Sequence, residues 1–288
     1  MSFMVDESTR VLIQGVTGQL GGTVIELMSR SAFRPVAGVT PGRGGEEVLG
    51  VPVFDTVGEA TDATGANASL VLVPPAGLSD AVAEAIDSRL GTIALMVDGV
   101  PMGLSVDLIS MARNAGVTLI GPNSPGVISP GKCLLGALNP AEFAQGDIAV
   151  ISRSGGMMST IAHTLAGSGF GTSTCLGIGG DSLIGVDMPE AVRLAEADPE
   201  TRAIVIFGEI GTSQEERVGD LVDSGAVTKP VIAYIAGSAA PDGIRYSHAG
   251  AKSDGANGTA RAKKKFLAKS GVLIAERYVD IPTVIARV

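Results

Sequence analysis

The sequence predicts an α/β protein built from two doubly wound domains, and three observations support this fold class. Short runs rich in β-branched residues alternate with longer amphipathic stretches along the whole chain, which is typical of repeated strand–helix–strand units. The short runs are continuously apolar, as expected for parallel strands that helices cover on both faces. The chain has 288 residues, and about 100–200 residues per domain suggests two domains.

The predicted strands form two groups, separated by a Pro- and Gly-rich stretch, 121–145, that has no clear periodicity. The first group is Val11–Gln14, Val36–Thr40, Leu70–Pro74, Ile93–Val97 and Val117–Ile120, and the second is Ile148–Ser152, Thr174–Gly177, Ala203–Phe207, Val231–Ile235 and Val272–Ile274. The predicted helices are Gly22–Arg30, Leu78–Ser88, Leu104–Asn114, Met157–Gly167, Pro189–Ala197, Gln214–Asp223 and Ala260–Lys269. We therefore predict a first domain over residues 1–125, a linker over 126–146 and a second domain over 147–288.

The composition excludes several classes of protein. The chain carries 21 Lys and Arg against 30 Asp and Glu, a formal net charge of -9, with 7 Phe, 3 Tyr and no Trp. It therefore lacks both the cationic surface and the stacking side chains that nucleic-acid binding requires. No apolar run approaches the ~18 residues that span a bilayer, and the acidic start MSFMVDESTR does not fit a signal peptide. Cys133 and Cys175 are isolated, so we expect a reduced, cytoplasmic protein without a metal site.

Glycine is frequent, with 40 residues, and two Gly-rich turns occupy corresponding places in the two predicted domains. Each domain begins with a buried strand, a Gly-rich turn and a helix start, in VLIQGVTGQLGG and IAVISRSGG. Such a turn directs backbone N–H groups and the positive end of the helix dipole towards one point. Both turns are therefore candidate anion sites, although a turn of this kind can also be purely structural.

The end of the second strand narrows the choice of ligand for the first turn. Domains that bind NAD end this strand with Asp or Glu, which holds the adenine ribose. Here Ala37–Thr40 runs into Pro41–Gly45, which contains Arg43 and three glycines instead of a carboxylate. A cation at this position favours a phosphorylated ribose, as in NADP or coenzyme A (CoA), and a plain surface turn with one arginine is the alternative.

The chain has 2 histidines, and their surroundings differ. His163 lies in a predicted helix, where we expect a structural role. His248 lies in 242–258, a segment of small residues without an apolar period, where both imidazole nitrogens are accessible and a functional role is plausible. Arg261 and Lys263–Lys265 form a basic stretch on the last predicted helix, which we expect to be a solvated face.

Six ordered motifs carry a resemblance to a known family. The motifs are GVTPGRGG (Gly38–Gly45), GPNSPGVISPG (Gly121–Gly131), SRSG (Ser152–Gly155), GIGGD (Gly177–Asp181), GEIG (Gly208–Gly211) and SHAGA (Ser247–Ala251). In this order they resemble the α subunit of succinyl-CoA synthetase, whose phosphohistidine loop usually reads GHAGA. The resemblance extends from Val5 to about Ile285. It implies an N-terminal Rossmann-like CoA-binding domain and a C-terminal flavodoxin-like doubly wound ligase domain.

The resemblance also implies partners and site residues. The family is a two-subunit acid–CoA ligase, ADP- or GDP-forming, assembled as αβ or α2β2, whose β subunit has an ATP-grasp domain that binds ATP or GTP with Mg. The first turn would contact CoA, Arg43 would meet a CoA phosphate, and His248 would carry the phosphoryl group while Glu209 hydrogen-bonds its imidazole. The implied CoA contacts are Thr17, Gly18, Gln19, Leu20, Arg43, Val97, Asp98 and Asn123, the last near the thiol. Ser154, Gly155 and Gly156 would begin a phosphate-binding helix.

The chemistry of such a ligase requires these residue types. A carboxylate does not react with a thiol at neutral pH, so it must first become an acyl phosphate. A neutral imidazole nitrogen, as in His248, can accept the phosphoryl group from a nucleoside triphosphate and pass it to the acid. A carboxylate such as Glu209 on the other ring nitrogen fixes the tautomer. Backbone amides at a helix N-terminus hold the phosphoryl oxygens.

The sequence departs from the family pattern in places that bear on the acid substrate. Asp98 replaces Glu, Arg43 replaces Lys and Ser124 replaces Cys, and 252–254 differ from the usual small and apolar residues. After SRSG, the family pattern TLTYE is replaced by GMMST, so that Ser159 stands where the family has the Tyr beside the acid. Succinate or a related dicarboxylate such as malate is the expected substrate. A CoA-binding regulatory or scaffold protein without turnover is the alternative, and a Rossmann dehydrogenase is disfavoured.

Overall fold

The computed structural model describes residues 3–30, 33–238 and 258–288. The chain forms two compact units, the first comprising residues 4–140 and 183–185, and the second comprising residues 1–3, 141–182 and 186–288. Each unit contains a parallel sheet with helices between the strands. The predicted α/β fold class, a Rossmann-like unit followed by a flavodoxin-like unit, is confirmed.

The first unit has the strand order of a Rossmann domain. Its strands are β1 (Val11–Gln14), β2 (Ala37–Val39), β3 (Glu47–Val48), β4 (Val51–Phe54), β5 (Ala68–Val71), β6 (Thr92–Leu95) and β7 (Thr118–Ile120). They lie in the order β3-β4-β2-β1-β5-β6-β7, with every neighbouring pair parallel except β3 with β4 at the edge. The strand order therefore reverses between β1 and β5, where doubly wound sheets bind their ligands.

Four helices accompany this sheet within the described part of the unit: α1 (Gly21–Ser29), α2 (Val57–Thr64), α3 (Leu78–Asp87) and α4 (Met102–Ala115). The sequence analysis did not predict α2, β3 or β4. The start of α2 is defined by Thr56, whose side chain accepts a hydrogen bond from the Glu59 amide at 3.1 Å, and its end by Gly65 in the left-handed region. These are ordinary start and stop signals for a helix.

Residues 126–146, which the sequence predicts as a linker, contain regular structure. β8 (Gly126–Ser129) and β9 (Cys133–Gly136) form an antiparallel hairpin, and β9 lies against β5 and α1. Gly126 and Gly136 allow the two strands to approach closely, because a Cβ on Gly126 would lie 2.0 Å from the Leu135 carbonyl oxygen. The hairpin belongs to the first unit, and a short 3₁₀ turn, Pro140–Glu142, follows it.

The second unit has the strand order of flavodoxin-like folds. Its strands are β10 (Gln145–Ser152), β11 (Thr172–Gly177), β12 (Ala203–Gly208), β13 (Val231–Ile235) and β14 (Leu273–Ile274). They run parallel in the order β14-β13-β12-β10-β11. Numbered within the unit, this order is 5-4-3-1-2, the flavodoxin-like order, with the reversal between β10 and β12.

The helices of the second unit in the described residues are α5 (Gly155–Gly167), α6 (Met188–Ala197), α7 (Gln214–Asp223), α8 (Ala260–Lys269) and α9 (Ile281–Ile285). β12 is buried along its whole length, as the continuously apolar run predicted. α9 and the 3₁₀ turn before it, Tyr278–Asp280, were not predicted.

The expectation of a solvated basic face on α8 is wrong for one residue. Lys263 is completely buried, and its Nζ donates to Glu215 Oε2 at 2.8 Å and to Glu216 Oε2 at 2.7 Å. It also donates to the Thr212 carbonyl oxygen. A buried lysine is tolerated only when it is paired in this way. A stretch of basic residues in the sequence does not show which of them are paired. Arg261 and Lys265 are exposed as expected.

Among the described residues, no helix is long and apolar enough to cross a bilayer, and no group of three or more His, Cys, Asp or Glu side chains could hold a metal ion. Cys133 and Cys175 are both buried and not bonded to each other.

Candidate functional site

The first Gly-rich turn joins β1 to α1 and presents its backbone amides to solvent. Gly15 adopts φ +80, and the chain then turns through hydrogen bonds from Gly18 N to the Gly15 carbonyl at 3.0 Å and from Gly21 N to the Gly18 carbonyl at 3.1 Å. Leu20 is the N-cap residue of α1 and makes no side-chain cap bond. Gly21 N is therefore already bonded, whereas the next amides of the first turn of α1, those of Gly22 and Thr23, have no acceptor inside the helix and can bind an anion.

Two glycines make this turn sterically possible. A Cβ on Gly21 would lie 1.7 Å from the Val16 carbonyl oxygen, and a Cβ on Gly38 would lie 2.3 Å from Val16 Cγ1. Neither position accepts a side chain without displacing the turn. The result is a close-packed loop in which Gly18, Gln19 and Leu20 are exposed, as in turns that bind the diphosphate of a nucleotide.

The end of β2 lies beside the turn. Thr17 Oγ1 donates to Thr40 Oγ1 at 3.2 Å, and Thr40 Oγ1 donates to the Val39 carbonyl oxygen at 2.8 Å. The following residues form a second turn, in which Arg43 N donates to the Thr40 carbonyl oxygen at 3.1 Å. Thr17 and Arg43 are therefore connected through Thr40, as the predicted CoA site requires.

Arg43 is exposed and forms a bidentate ion pair with Glu46, with Nη2 2.6 Å from Oε2 and Nε bonded to Oε1. The Arg43 hydrogen bond holds the pKa of the Glu46 carboxyl below its ordinary value, and the same bond raises the pKa of Arg43. A phosphate can bind a guanidinium in the same bidentate manner, so Glu46 would compete with a phosphate for Arg43.

The remaining predicted CoA contacts follow β6 and β7. Asn123 N donates to the Val97 carbonyl oxygen at 2.9 Å, so these two residues lie together, and Asn123 has a positive φ of 55. Asp98 is exposed beside Val97. All predicted contacts in the first unit thus follow the carboxyl ends of β1, β2, β6 and β7, the edge at which doubly wound sheets bind ligands.

The second Gly-rich turn joins β10 to α5. Ser154 is the N-cap residue, and its side chain accepts a hydrogen bond from the Met157 amide at 3.4 Å. Ser152 Oγ accepts from Ser154 N at 3.0 Å and donates to the Ser154 carbonyl oxygen at 2.7 Å. Gly155 and Gly156 form the first helical turn, and a Cβ on Gly156 would meet nothing within 4 Å. The helix start is therefore open, as a phosphate site requires.

Glu209 lies at the end of β12 and is buried, with a side chain 9% exposed. Its Oε1 accepts a hydrogen bond from Arg153 Nε at 2.7 Å, and its backbone N donates to Glu215 Oε1 at 3.0 Å. Arg153 has a side chain 0% exposed and stands within SRSG, directly before the α5 cap. Sequence reasoning missed it as a site residue, although a charged residue directly after an apolar strand was a usable signal.

The predicted phosphoryl carrier, His248, lies outside the described residues, as do 252–254. On either side of residues 239–257, the described chain forms hydrogen bonds to the GEIG turn (Gly208–Gly211). Ala236 N donates to the Gly208 carbonyl oxygen at 2.9 Å, and Gly211 N donates to the Gly258 carbonyl oxygen at 3.1 Å. Ala236 and Gly258 are therefore held beside the turn that contains Glu209.

Ser159 lies on the second turn of α5 and lines a cavity of about 470 Å³ with Glu142, Thr160, His163, Thr164 and Tyr278. Ser159, the predicted substrate residue, therefore shares this cavity with His163. His163 is in α5 as predicted, but its side chain is exposed, so it does not pack in the core.

Comparisons with known proteins identify the two units. The model of the CoA binding domain matches residues 6–99, and the CoA-ligase model matches residues 151–273. A CoA-binding Rossmann unit joined to a CoA-ligase unit defines an acid–CoA ligase.

Full-length relatives specify the family. The chain is 43% identical over 288 residues to subunit alpha 2 of the ADP-forming succinate–CoA ligase of Archaeoglobus fulgidus, with 100% of both chains covered. It is 35% identical to the ADP-forming sulfoacetate-CoA ligase subunit SauD of Bilophila wadsworthia, covering 98% of this chain and 97% of that one. The chain belongs to the α-subunit family of succinate–CoA ligases.

Among solved structures, the ATP citrate lyase from Methanothrix soehngenii in complex with citrate and coenzyme A superposes with a TM-score of 0.87 at 22% identity. The match covers 99% of this chain and 50% of that chain. At this identity the similarity supports the fold alone.

Proposed function

We propose that this α subunit forms succinyl-CoA or a related dicarboxylyl-CoA from the acid, CoA and a nucleoside triphosphate through a phosphohistidine at His248. Its partner would be a β subunit with an ATP-grasp domain, which binds ATP or GTP with Mg. The assembly would be αβ or α2β2. CoA would occupy the first-unit turn at Thr17, Gly18, Gln19 and Leu20.

The observation that supports this proposal best is the anchoring of the chain on both sides of His248. Gly208 and Gly211, which flank Glu209, bond to Ala236 and Gly258, the described residues on either side of the segment. These bonds hold Ala236 and Gly258 beside the buried Glu209 carboxylate, and the proposal assigns to that carboxylate the task of fixing one ring nitrogen of His248.

The residues of this chain would act in sequence. Glu209 accepts a hydrogen bond from one ring nitrogen of His248 and leaves the other as the nucleophile. That nitrogen bonds to the γ-phosphorus while the bond to the leaving nucleoside diphosphate breaks. The carboxylate of the acid then takes the phosphoryl group, and the imidazole leaves. The amides of Gly155 and Gly156 stabilise the phosphoryl oxygens. Bound CoA supplies the thiol that displaces phosphate from the acyl phosphate.

The acid that the enzyme uses would depend on Ser159. A serine in place of the family tyrosine leaves more space and one hydroxyl in a cavity that also contains Glu142 and His163. One relative is named for sulfoacetate, so the family accommodates acids other than succinate. We expect succinate or malate to be used, and sulfoacetate belongs in the same substrate panel.

The test is phosphoryl transfer with a matched histidine control. The chain, combined with its β subunit and Mg-ATP labelled at the γ-phosphate, should acquire an acid-labile, base-stable label. His248→Asn should abolish the label, whereas His163→Asn should retain it, because the chain has 2 histidines. If the label persisted in His248→Asn and disappeared in His163→Asn, the phosphoryl carrier would be His163, and the assignment to His248 would be wrong.

The altered segment Gly156–Thr160 favours a second candidate function, a CoA-binding regulatory or scaffold subunit without turnover. This candidate predicts CoA binding with no protein-bound phosphate in the presence of the β subunit. The labelling experiment separates the two candidates directly.

A further inference from the structure

Arg153 is a buried cation for which the proposed function has no role. Its side chain is 0% exposed, and it lies between the end of β10 and the first turn of α5. Its Nε donates to Glu209 Oε1 at 2.7 Å, and its Nη2 donates to the carbonyl oxygens of Gly180 and Asp181, each at 3.2 Å. One side chain therefore joins the SRSG, GIGGD and GEIG motifs.

Burying this guanidinium costs more free energy than a purely structural contact requires. Removing a guanidinium from water requires pairing and several hydrogen bonds. Arg153 has its counter-ion in Glu209, but its Nη1 is buried and meets no acceptor in the part of the chain that the structure describes. An unsatisfied buried donor in a native protein calls for an explanation, and an apolar side chain would fill the same space at less cost.

The charges around Glu209 come from three elements. Arg153 approaches from the β10–α5 turn, Glu215 from α7, and Lys263 from α8 neutralises Glu215 and Glu216. In the turn after β11, the Asp181 carbonyl oxygen accepts a hydrogen bond from Arg153. Glu215 holds the main chain of Glu209 through its backbone amide. Arg153 therefore bonds directly to the Glu209 carboxylate.

We propose that Arg153 is a positioning residue that fixes the Glu209 carboxylate and offsets its charge, so that the histidine it serves stays neutral and nucleophilic at neutral pH. The inference rests on the proposed function. A carboxylate alone beside an imidazole favours the imidazolium, which cannot attack phosphorus. The guanidinium bonded to Oε1 would counter that effect by offsetting the charge of the carboxylate.

Removal of Arg153 should shift the pH dependence of phosphorylation to higher pH. Without Arg153, the Glu209–histidine pair holds its shared proton more tightly, whichever of the two groups carries it. The pH at which phosphorylation is half-maximal should rise by about 1 unit, since a neighbouring opposite charge shifts a pKa by 1–3 units. At neutral pH the labelling rate should fall about 10-fold.

The experiment measures the rate of histidine labelling by γ-labelled Mg-ATP against pH, in the complex with the β subunit. Arg153→Gln should show the upward shift, and Arg153→Lys, which keeps the charge, should restore most of the wild-type profile. Arg202→Gln is the matched control, because Arg202 forms an ion pair with Asp147 at the surface of the same unit, with side chains 39% and 49% exposed. Its profile should equal that of the wild type.

A double variant tests whether Arg153 acts through Glu209. In a Glu209→Gln background, the additional change Arg153→Gln should alter neither the labelling rate nor its pH profile. Equal profiles for wild type and Arg153→Gln would overturn the positioning role while leaving the proposed function intact. Loss of folding in both Arg153 variants, measured by circular dichroism, would overturn it in favour of a structural role. Absence of label in the wild type would instead refute the proposed function.

Discussion

A single methyl group at Gly21 tests whether the first Gly-rich turn is the CoA site. In Gly21→Ala, the new Cβ would lie 1.7 Å from the Val16 carbonyl oxygen and 2.5 Å from the Val16 carbonyl carbon. Ordinary carbon–oxygen contacts are about 3.3 Å, so the turn and the helix start must separate by about 1.6 Å. Both sides of this contact are backbone, which cannot move away as a flexible side chain can.

The cost follows from that displacement. Overpacking costs typically 1–3 kcal/mol, and backbone on both sides puts Gly21→Ala at the upper end, about 3 kcal/mol. A unit of this size should lose about 10 °C in melting temperature. Because the turn amides move by more than 1 Å, at least one hydrogen bond to a charged phosphate is lost, about 1.5 kcal/mol or more. CoA affinity should therefore fall at least about 10-fold.

The neighbouring residue provides the control. A Cβ on Gly22 would meet only Leu49 Cδ1, at 3.9 Å, so Gly22→Ala should keep wild-type CoA affinity and gain up to about 1 kcal/mol of stability. Titration calorimetry with CoA, performed below the melting temperature of each variant, measures the difference. Wild-type affinity in Gly21→Ala would refute the assignment of CoA to this turn.

Three other predictions follow from described contacts. Glu46→Ala should tighten CoA binding by up to about five-fold, the effect of an exposed ion pair, because it releases Arg43; an unchanged dissociation constant would show that Glu46 does not compete with a CoA phosphate. Burial raises the pKa of the Cys133 and Cys175 thiols to about 12, so neither should react with a thiol reagent at pH 8 until the protein is unfolded in guanidinium, and rapid native labelling would contradict that. Lys263→Met should destabilise the second unit by about 3 kcal/mol, since it leaves Glu215 buried without its cation, and urea unfolding would reveal a smaller change if the pair contributes nothing.

The sequence predicted those parts of the fold that local patterns determine. The strands Val11–Gln14 and Val231–Ile235 and the helix Gln214–Asp223 have the bounds predicted from their apolar periods. The short strands β3, at the edge of the sheet, and β4 beside it were missed, because pairing of two to four residues depends on neighbours that periodicity does not reveal. The hairpin of β8 and β9 was also missed, because its glycines are typical of turns in the sequence.

The site could be predicted only in part, because buried ion pairs join residues far apart in the chain. Glu209 was identified by its motif, but its partner Arg153 lies 56 positions earlier. Lys263 looked like one of several solvated lysines, and only packing of α8 against α7 shows that it is buried between Glu215 and Glu216. The sequence shows which residues are charged, but their burial and their ion-pair partners depend on how the chain folds.

The central proposal is that this subunit, with its β partner, activates an acid and joins it to CoA. The direct measurement is thioester formation, followed by ultraviolet absorbance, with Mg-ATP or Mg-GTP, CoA and a panel of succinate, malate and sulfoacetate. The account predicts thioester with at least one dicarboxylate, one nucleoside diphosphate formed per thioester, and no product from His248→Asn. Tight CoA binding without thioester from any acid would contradict it and would support a non-catalytic CoA-binding subunit.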